Sequence, residues 1–133
     1  MAQSQVVTNE GYALIASYLS GATGADTIKS VVALTACTGT AAATKAFATI
    51  TESTESGLTI QDASSVTVTT TSVAGDTVQL DDILTAGATD TIAGIAVCND
   101  DDNALHGYCC FDAAVALAVS DTITFQWKES FGT

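Results

Sequence analysis

The chain has 133 residues with fifteen acidic side chains against three lysines and no arginine, giving a formal charge of −12. This balance excludes nucleic acid and anionic membranes as partners, since both are held by clustered Lys and Arg, and no apolar run approaches the roughly 20 residues of a membrane span. Only 14% of residues are charged, so Thr, Ser, Ala and Gly must cover most of the surface, a composition suited to packing against neighbours.

The length is that of one β-rich domain over 1–133. Met1 to Val7 reads as an arm or edge strand, with Val6 and Val7 as candidate assembly contacts. It lacks the basic region of a signal peptide, so a soluble protein with no secretory address is expected. Thr8 is placed as a helix N-cap, Glu10 stands in the first turn where the helix dipole favours an anion, and Gly21 supplies the C-terminal cap. Over 8–20, Leu14, Ile15, Tyr18 and Leu19 follow Gly11 at three- and four-residue spacing, which predicts one short α-helix with a buried apolar stripe.

From Ile28 onward the period changes to two. Strands are expected at Ser30–Ala36, Lys45–Thr51, Gly57–Gln61, Ser65–Val73 and Thr77–Leu84, with Cys37–Thr44 as a flexible connection and Ala74-Gly75-Asp76 as a hairpin turn. Three more are expected at Thr91–Cys98, Ala104–Phe111 and Asp121–Lys128, the first two joined by an acidic turn. In the last, Ile123, Phe125 and Trp127 alternate with Thr122, Thr124, Gln126 and Lys128, so the three large side chains are assigned to the core. Strands at this spacing without intervening helices predict a mainly β protein, an antiparallel β-sandwich or barrel-like domain with one short N-terminal α-helix. There is no proline, so Gly, Asn and Asp must shape the turns.

Few residues carry a chemical signature. Asn99-Asp100-Asp101-Asp102-Asn103 offers hard oxygen donors, but it lacks the glycine, the terminal glutamate and the flanking helices of a calcium loop, and Asp81-Asp82 contributes only if the fold brings it close. The turn is read as a solvated hairpin tip. His106 and Cys109 stand three apart, which on a regular strand sends them to opposite faces, so no metal site is assigned. His106 is the single histidine and no nucleophile motif accompanies it, so no catalytic residue and no cofactor is assigned. Gly21–Asp26 follows a helix instead of opening one and is a loop, not a phosphate cradle. Cys37, Cys98, Cys109 and Cys110 are read as small buried thiols in preference to bridges, because adjacent strand residues face opposite ways. Tyr108, Phe111, Phe125 and Trp127 are assigned to the core over a sugar-binding platform.

Val7-Thr8-Asn9-Glu10-Gly11-Tyr12-Ala13-Leu14-Ile15 reads as a threonine-asparagine-glycine motif opening a short apolar helix, and Ala93-Gly94-Ile95-Ala96-Val97, Asn99-Asp100, Leu105 to Phe111 and Asp121-Thr122-Ile123-Thr124-Phe125-Gln126-Trp127 form a second block. In motif, order and spacing these two blocks resemble the N-terminal block and the C-terminal half of a family of small tailed-phage structural proteins. The extra acids and cysteines around the turn depart from the pattern, and Ala36 to Ser72 has no counterpart in it. The resemblance implies a non-enzymatic virion protein whose partners are the major capsid protein or tail components. With neither heptads nor repeats to build a fibre shaft, capsid decoration or cement is the expected role, with self-association into a trimer and contact through the helix or the Met1–Val7 arm. A tail-fibre or tail-adaptor component is the alternative, and a carbohydrate-binding receptor module the second.

Overall fold

The computed structural model describes residues 4–23, 26–37, 40–71 and 73–131, and expectations that touch Met1–Gln3, Gly24, Ala25, Thr38, Gly39 or Ser72 lie outside it there. In chain order the elements are β1 (Ser4–Val7), α1 (Asn9–Ser20), β2 (Ile28–Ala36), a 3-10 turn (Phe47–Thr49), β3 (Thr51–Glu52), β4 (Gln61–Asp62), β5 (Ser65–Thr69), β6 (Thr77–Thr85), β7 (Asp90–Asn99), β8 (Leu105–Leu117) and β9 (Thr122–Ser130). One sheet has the order β1-β8-β7-β2-β3, with β4 also on β2, and the other has the order β5-β6-β9. The protein is mainly β, its antiparallel sheets packed as a sandwich with one short helix near the N-terminus.

The larger sheet is covered on both faces. In β7 every residue from Ile92 to Asn99 is buried, as expected of a strand whose two side-chain parities are both apolar. Toward the smaller sheet, Val31, Ala33, Ile95 and Val97 meet Leu80, Leu84, Phe125 and Trp127. On the reverse face Val32, Leu34, Ala96, Cys98, Tyr108 and Cys110 are capped by Phe47, Ile50 and Ile60. This second cover explains why Lys45–Thr51 and Gly57–Gln61 are not the full strands their alternation predicts. Phe47 and Ile50, three apart, both turn down onto the sheet around the 3-10 turn, leaving only the two-residue β3 and β4 as ladder. At the other extreme, β8 runs on to Leu117 through the small residues Ala113, Ala114 and Ala116.

The cysteines are not all thiols. Cys37 and Cys110 form a disulfide, 73 positions apart, which corrects the expectation of unbridged cysteines. Leu34, Gly94 and Cys110 lie in one row across β2, β7 and β8. The β2 register slips between Leu34 and Ala36, and Cys37 beyond it reaches across Gly94 to β8. A Cβ on Gly94 would stand 3.0 Å from Cys37 Cβ and 2.5 Å from the Cys109 carbonyl oxygen, so the bridge passes where β7 has no side chain. Closing a loop of this length contributes roughly 4 kcal/mol. Hairpin neighbours in the sequence do not reveal the pairing, because Cys37 follows β2, which is separated from β8 by β7. Cys98 and Cys109 stay thiols, and burial pushes both toward the protonated, unreactive form.

The helix stripe also needs correcting. Of α1 only Gly11 is buried; Leu14 and Ile15 are half-buried, while Tyr18 and Leu19 are 62% and 79% exposed. The helix is seated by its first turn and its apolar stripe runs out beyond the sheet edge. Val6 and Val7, expected as assembly contacts, belong to β1, which pairs with Gly107–Cys110 of β8. Their side chains pack on the two core clusters, Val7 on the inter-sheet side and Val6 on the reverse, so they are committed to the fold.

In β9, Phe125 and Trp127 are buried and Ile123 packs half-buried beside them. Trp127 fits because Gly107 faces it: a Cβ there would lie 2.6 Å from the indole Cη2. Trp127→Ala is expected to cost roughly 3–5 kcal/mol and Gly107→Ala about 1–3 kcal/mol from overpacking, both read as shifts of the urea midpoint at constant slope.

One carboxylate faces inward. Asp82 shares the inner face of β6 with Leu80 and Leu84 and is buried. Its Oδ2 accepts from Gln61 Nε2 at 2.9 Å and its Oδ1 from the Ser64 hydroxyl. Burial alone raises a carboxyl, yet the bonds from Ser64, Gln61 and the Ile83 and Ser64 amides together hold Asp82 below the usual carboxylate range. A depressed folded value means its contribution is complete above the ordinary carboxylate pKa and disappears as pH falls through the lower folded one. The stability gap between the native chain and Asp82→Asn is therefore expected to be largest near neutrality and to close on acidification below about pH 4, as read by denaturation at stepped pH.

Candidate functional site

The helix is fixed at one end by a small set of bonds to the start of β8. Thr8 caps α1 through its Oγ, which accepts from Gly11 N at 3.1 Å, and its hydroxyl donates to the Leu105 carbonyl. Its own N–H donates to the His106 carbonyl at 2.9 Å. Glu10 Oε2 accepts from Leu105 N at 2.7 Å and from Phe47 N at 2.9 Å, tying helix, strand and reverse-face cover together. A Cβ on Gly11 would fall 2.1 Å from the His106 carbonyl oxygen, so only glycine lets the first turn seat this closely.

His106 is placed by a bulge. Val97 pairs with Gly107 but Cys98 pairs with Leu105, leaving His106 as the extra residue of β8 and re-aiming its side chain. The imidazole turns toward the smaller sheet, where Nε2 bonds Glu129 Oε2 and the ring meets Trp127 edge-on at 6.3 Å. The expectation that His106 and Cys109 face opposite ways rested on a regular strand, and the slip removes that premise. His106 is only 1% exposed, and its Nδ1 and the Trp127 Nε1 have no hydrogen-bond partner among the described residues.

Between α1 and the smaller sheet lies an apolar groove of about 530 Å³, within the size range of ligand and peptide pockets. Leu14, Ile15, Tyr18 and Leu19 form its helical wall, and Val66, Val68, Val78 and Phe131 its sheet wall. His106 and Glu129 lie at its floor and Asp26 at its rim. The stripe assigned to the core thus lines a surface cleft instead. Val66, Val68, Glu129 and Phe131 were not singled out in the sequence. The Val66/Val68 alternation was visible, but which face of it lacked a cover depends on how the sheets overlap.

No family model, curated protein or solved structure matches this chain. The groove must therefore be read from its own chemistry.

The other sequence candidates serve the fold. Asn99, buried at the base of the acidic turn, accepts from the Asn103 and Ala104 amides at 2.9 and 2.8 Å and donates to Asp26 and Asn103 at 2.7 Å each. Lys29 Nζ stands 2.9 Å from Asp100 and 3.1 Å from Asp62, and the hydrogen bonds to Asp100 and then Asp62 raise its pKa. Asp81 and Asp82 fall on opposite faces of β6, Asp81 bonding Gln79 and Gln126. Among the described residues no group of three or more His, Cys, Asp or Glu is placed to hold a metal, and no helix is long and apolar enough to cross a membrane. Tyr108, Phe125 and Trp127 are buried and Phe111 is half-buried, so they form no exposed sugar platform.

Asn99→Ala is expected to lower stability by about 1–3 kcal/mol, since two turn amides lose their acceptor. Chelator treatment of the native chain is expected to leave the thermal midpoint unchanged, a calorimetric comparison that separates an amide-built turn from an ion-built one.

Proposed function

We propose that the protein is a non-enzymatic structural component of a tailed-phage virion, acting as a capsid decoration or cement protein. The observation that carries an assembly role is the apolar groove with Tyr18, Leu19, Val68 and Phe131 exposed along it, on a chain of net charge −12. A contiguous apolar patch on such a surface is costly to leave in water and marks a place where another molecule sits. The likeness of Val7–Ile15 and of the β7–β9 region to the phage structural family supports placing that molecule in a virion.

Decoration is favoured over the tail because the described residues form a sandwich and no shaft is found among them. A lattice-wide coat component works through modest contacts repeated many times, where avidity replaces single-site affinity. Self-association as a trimer fits that role, since coat components occupy symmetric positions, and the acidic surface would keep particles from aggregating.

Quantitative mass spectrometry of purified particles tests this. A count on the order of hundreds per particle, as expected of a lattice-wide component, supports decoration; a few or a dozen copies would move the protein to a tail-fibre or adaptor position. Absence from particles would end the virion reading.

A further inference from the structure

The outer end of β2 depends on the disulfide. In the ladder between β2 and β7 the last rung joins Leu34 to Gly94, and Gly94 pairs in turn with Cys110 of β8. Thr35 and Ala36 continue past that rung, where Ala36 keeps one ladder partner, Thr51 of the two-residue β3. A strand end carried by so few backbone bonds opens easily on its own. The Cys37–Cys110 bridge lies immediately beyond it and pins it to β8.

The chain on either side has ties that do not involve the bridge. Ala42 N donates to the Tyr108 hydroxyl at 2.6 Å, Asn9 N to the Ala43 carbonyl at 2.8 Å and Phe47 N to Glu10 at 2.9 Å. Behind the rung, Ser53 N donates to the Ala33 carbonyl at 2.8 Å. Opening the bridge therefore frees a bounded stretch, residues 35–37 with Thr51 and Glu52 across from them, while the sandwich stays bonded around it.

The two cysteines differ in access. Both line a cleft of about 190 Å³ on the reverse face, Cys37 half-buried and Cys110 only 3% exposed. Lys45 is the only charged side chain in that lining, and an ammonium there attracts an incoming thiolate and favours a departing one. Cys98 and Cys109 are buried elsewhere in the sheet and kept protonated, so neither competes as a nucleophile.

We propose that the Cys37–Cys110 bridge is a redox latch, opened in the folded protein by a dithiol that enters at Cys37 and releases the outer end of β2 together with the β3 rung. One thiolate of the dithiol attacks Cys37 Sγ, the Cys37–Cys110 bond breaks, and Cys110 leaves as a thiolate that takes up a proton. The second thiolate of the dithiol then attacks its own sulfur in the mixed disulfide and expels Cys37, which is protonated likewise. Two electrons and two protons pass to the cysteines, and the dithiol departs as a cyclic disulfide. The latch is independent of the virion reading, since it concerns the chain alone.

The test follows the full chain at neutral pH, before and after dithiothreitol, by hydrogen-exchange mass spectrometry and by alkylation with iodoacetamide. After reduction, the amides of residues 35–37 and 51–52 are expected to exchange about tenfold faster or more, while those of residues 94–98 in β7 keep their protection. Cys37 is expected to be alkylated about tenfold faster than Cys98 or Cys109, and reoxidation with the cyclic disulfide of dithiothreitol to restore slow exchange. Cys37→Ser is expected to exchange rapidly at the same amides with or without dithiothreitol, a result that the native chain gives without any substitution. The proposal is overturned if the bridge resists dithiothreitol until denaturant is added, or if confirmed reduction leaves exchange at 35–37 unchanged. It is equally overturned if protection at 94–98 is lost in step with 35–37, which would make the bridge a staple of the whole fold.

Discussion

The burial of β7 on both faces is the constraint from which the rest of the architecture follows. A strand whose odd and even residues are all apolar cannot sit on the outside of a sheet, and a two-sheet sandwich covers only one of its sides. The chain solves this by spending roughly residues 40–60 as a second cover, anchored by Phe47, Ile50 and Ile60 on the reverse face. The Cys37–Cys110 bridge fastens the start of that cover to β8, and Glu10 fastens its 3-10 turn to the helix. Helix seating, bridge and cover are therefore parts of one arrangement around the same sheet.

Much of this was legible in the sequence where the local pattern and the tertiary environment agree. Thr8 and Gly21 cap the helix and Glu10 stands in its first turn as their chemistry requires, and the Ile123–Phe125–Trp127 alternation gives the face of β9. The pattern misled where the environment was made elsewhere. Phe47 and Ile50 read as strand residues because nothing local reveals a second face to be capped, and Cys37 read as a thiol because its partner is two strands away. The Leu14–Leu19 stripe is a sound helical stripe, but periodicity says only that a face is apolar, not that the protein itself covers it. Sheet overlap decides that, and overlap is set by long-range register.

His106 illustrates a finer limit. A one-residue slip between Val97 and Cys98 changes which way the imidazole points, and so converts a residue that strand parity sends away from the sandwich into the floor of the groove. The bulge supplies both the carbonyl that receives Thr8 and the side chain that meets Glu129. The apolar cleft and the seat of the helix thus share one irregularity, and a change at His106 acts on both.

The pairing of β1 with β8 sets the timing of folding. Thr8 bonds Leu105 across 97 positions of sequence, and β1 finds its ladder only on Gly107–Cys110. At synthesis rates of about 5–20 residues per second, the first strand and helix wait several seconds for the strand that holds them. The ladder partner of β1 and the seat of the first helical turn are therefore present only once β8 is. Once β2 has paired with β7 and β7 with β8, the loop that the helix closes on docking is only the short link from Ser20 to Ile28, so a formed sheet lowers the entropic cost of seating it.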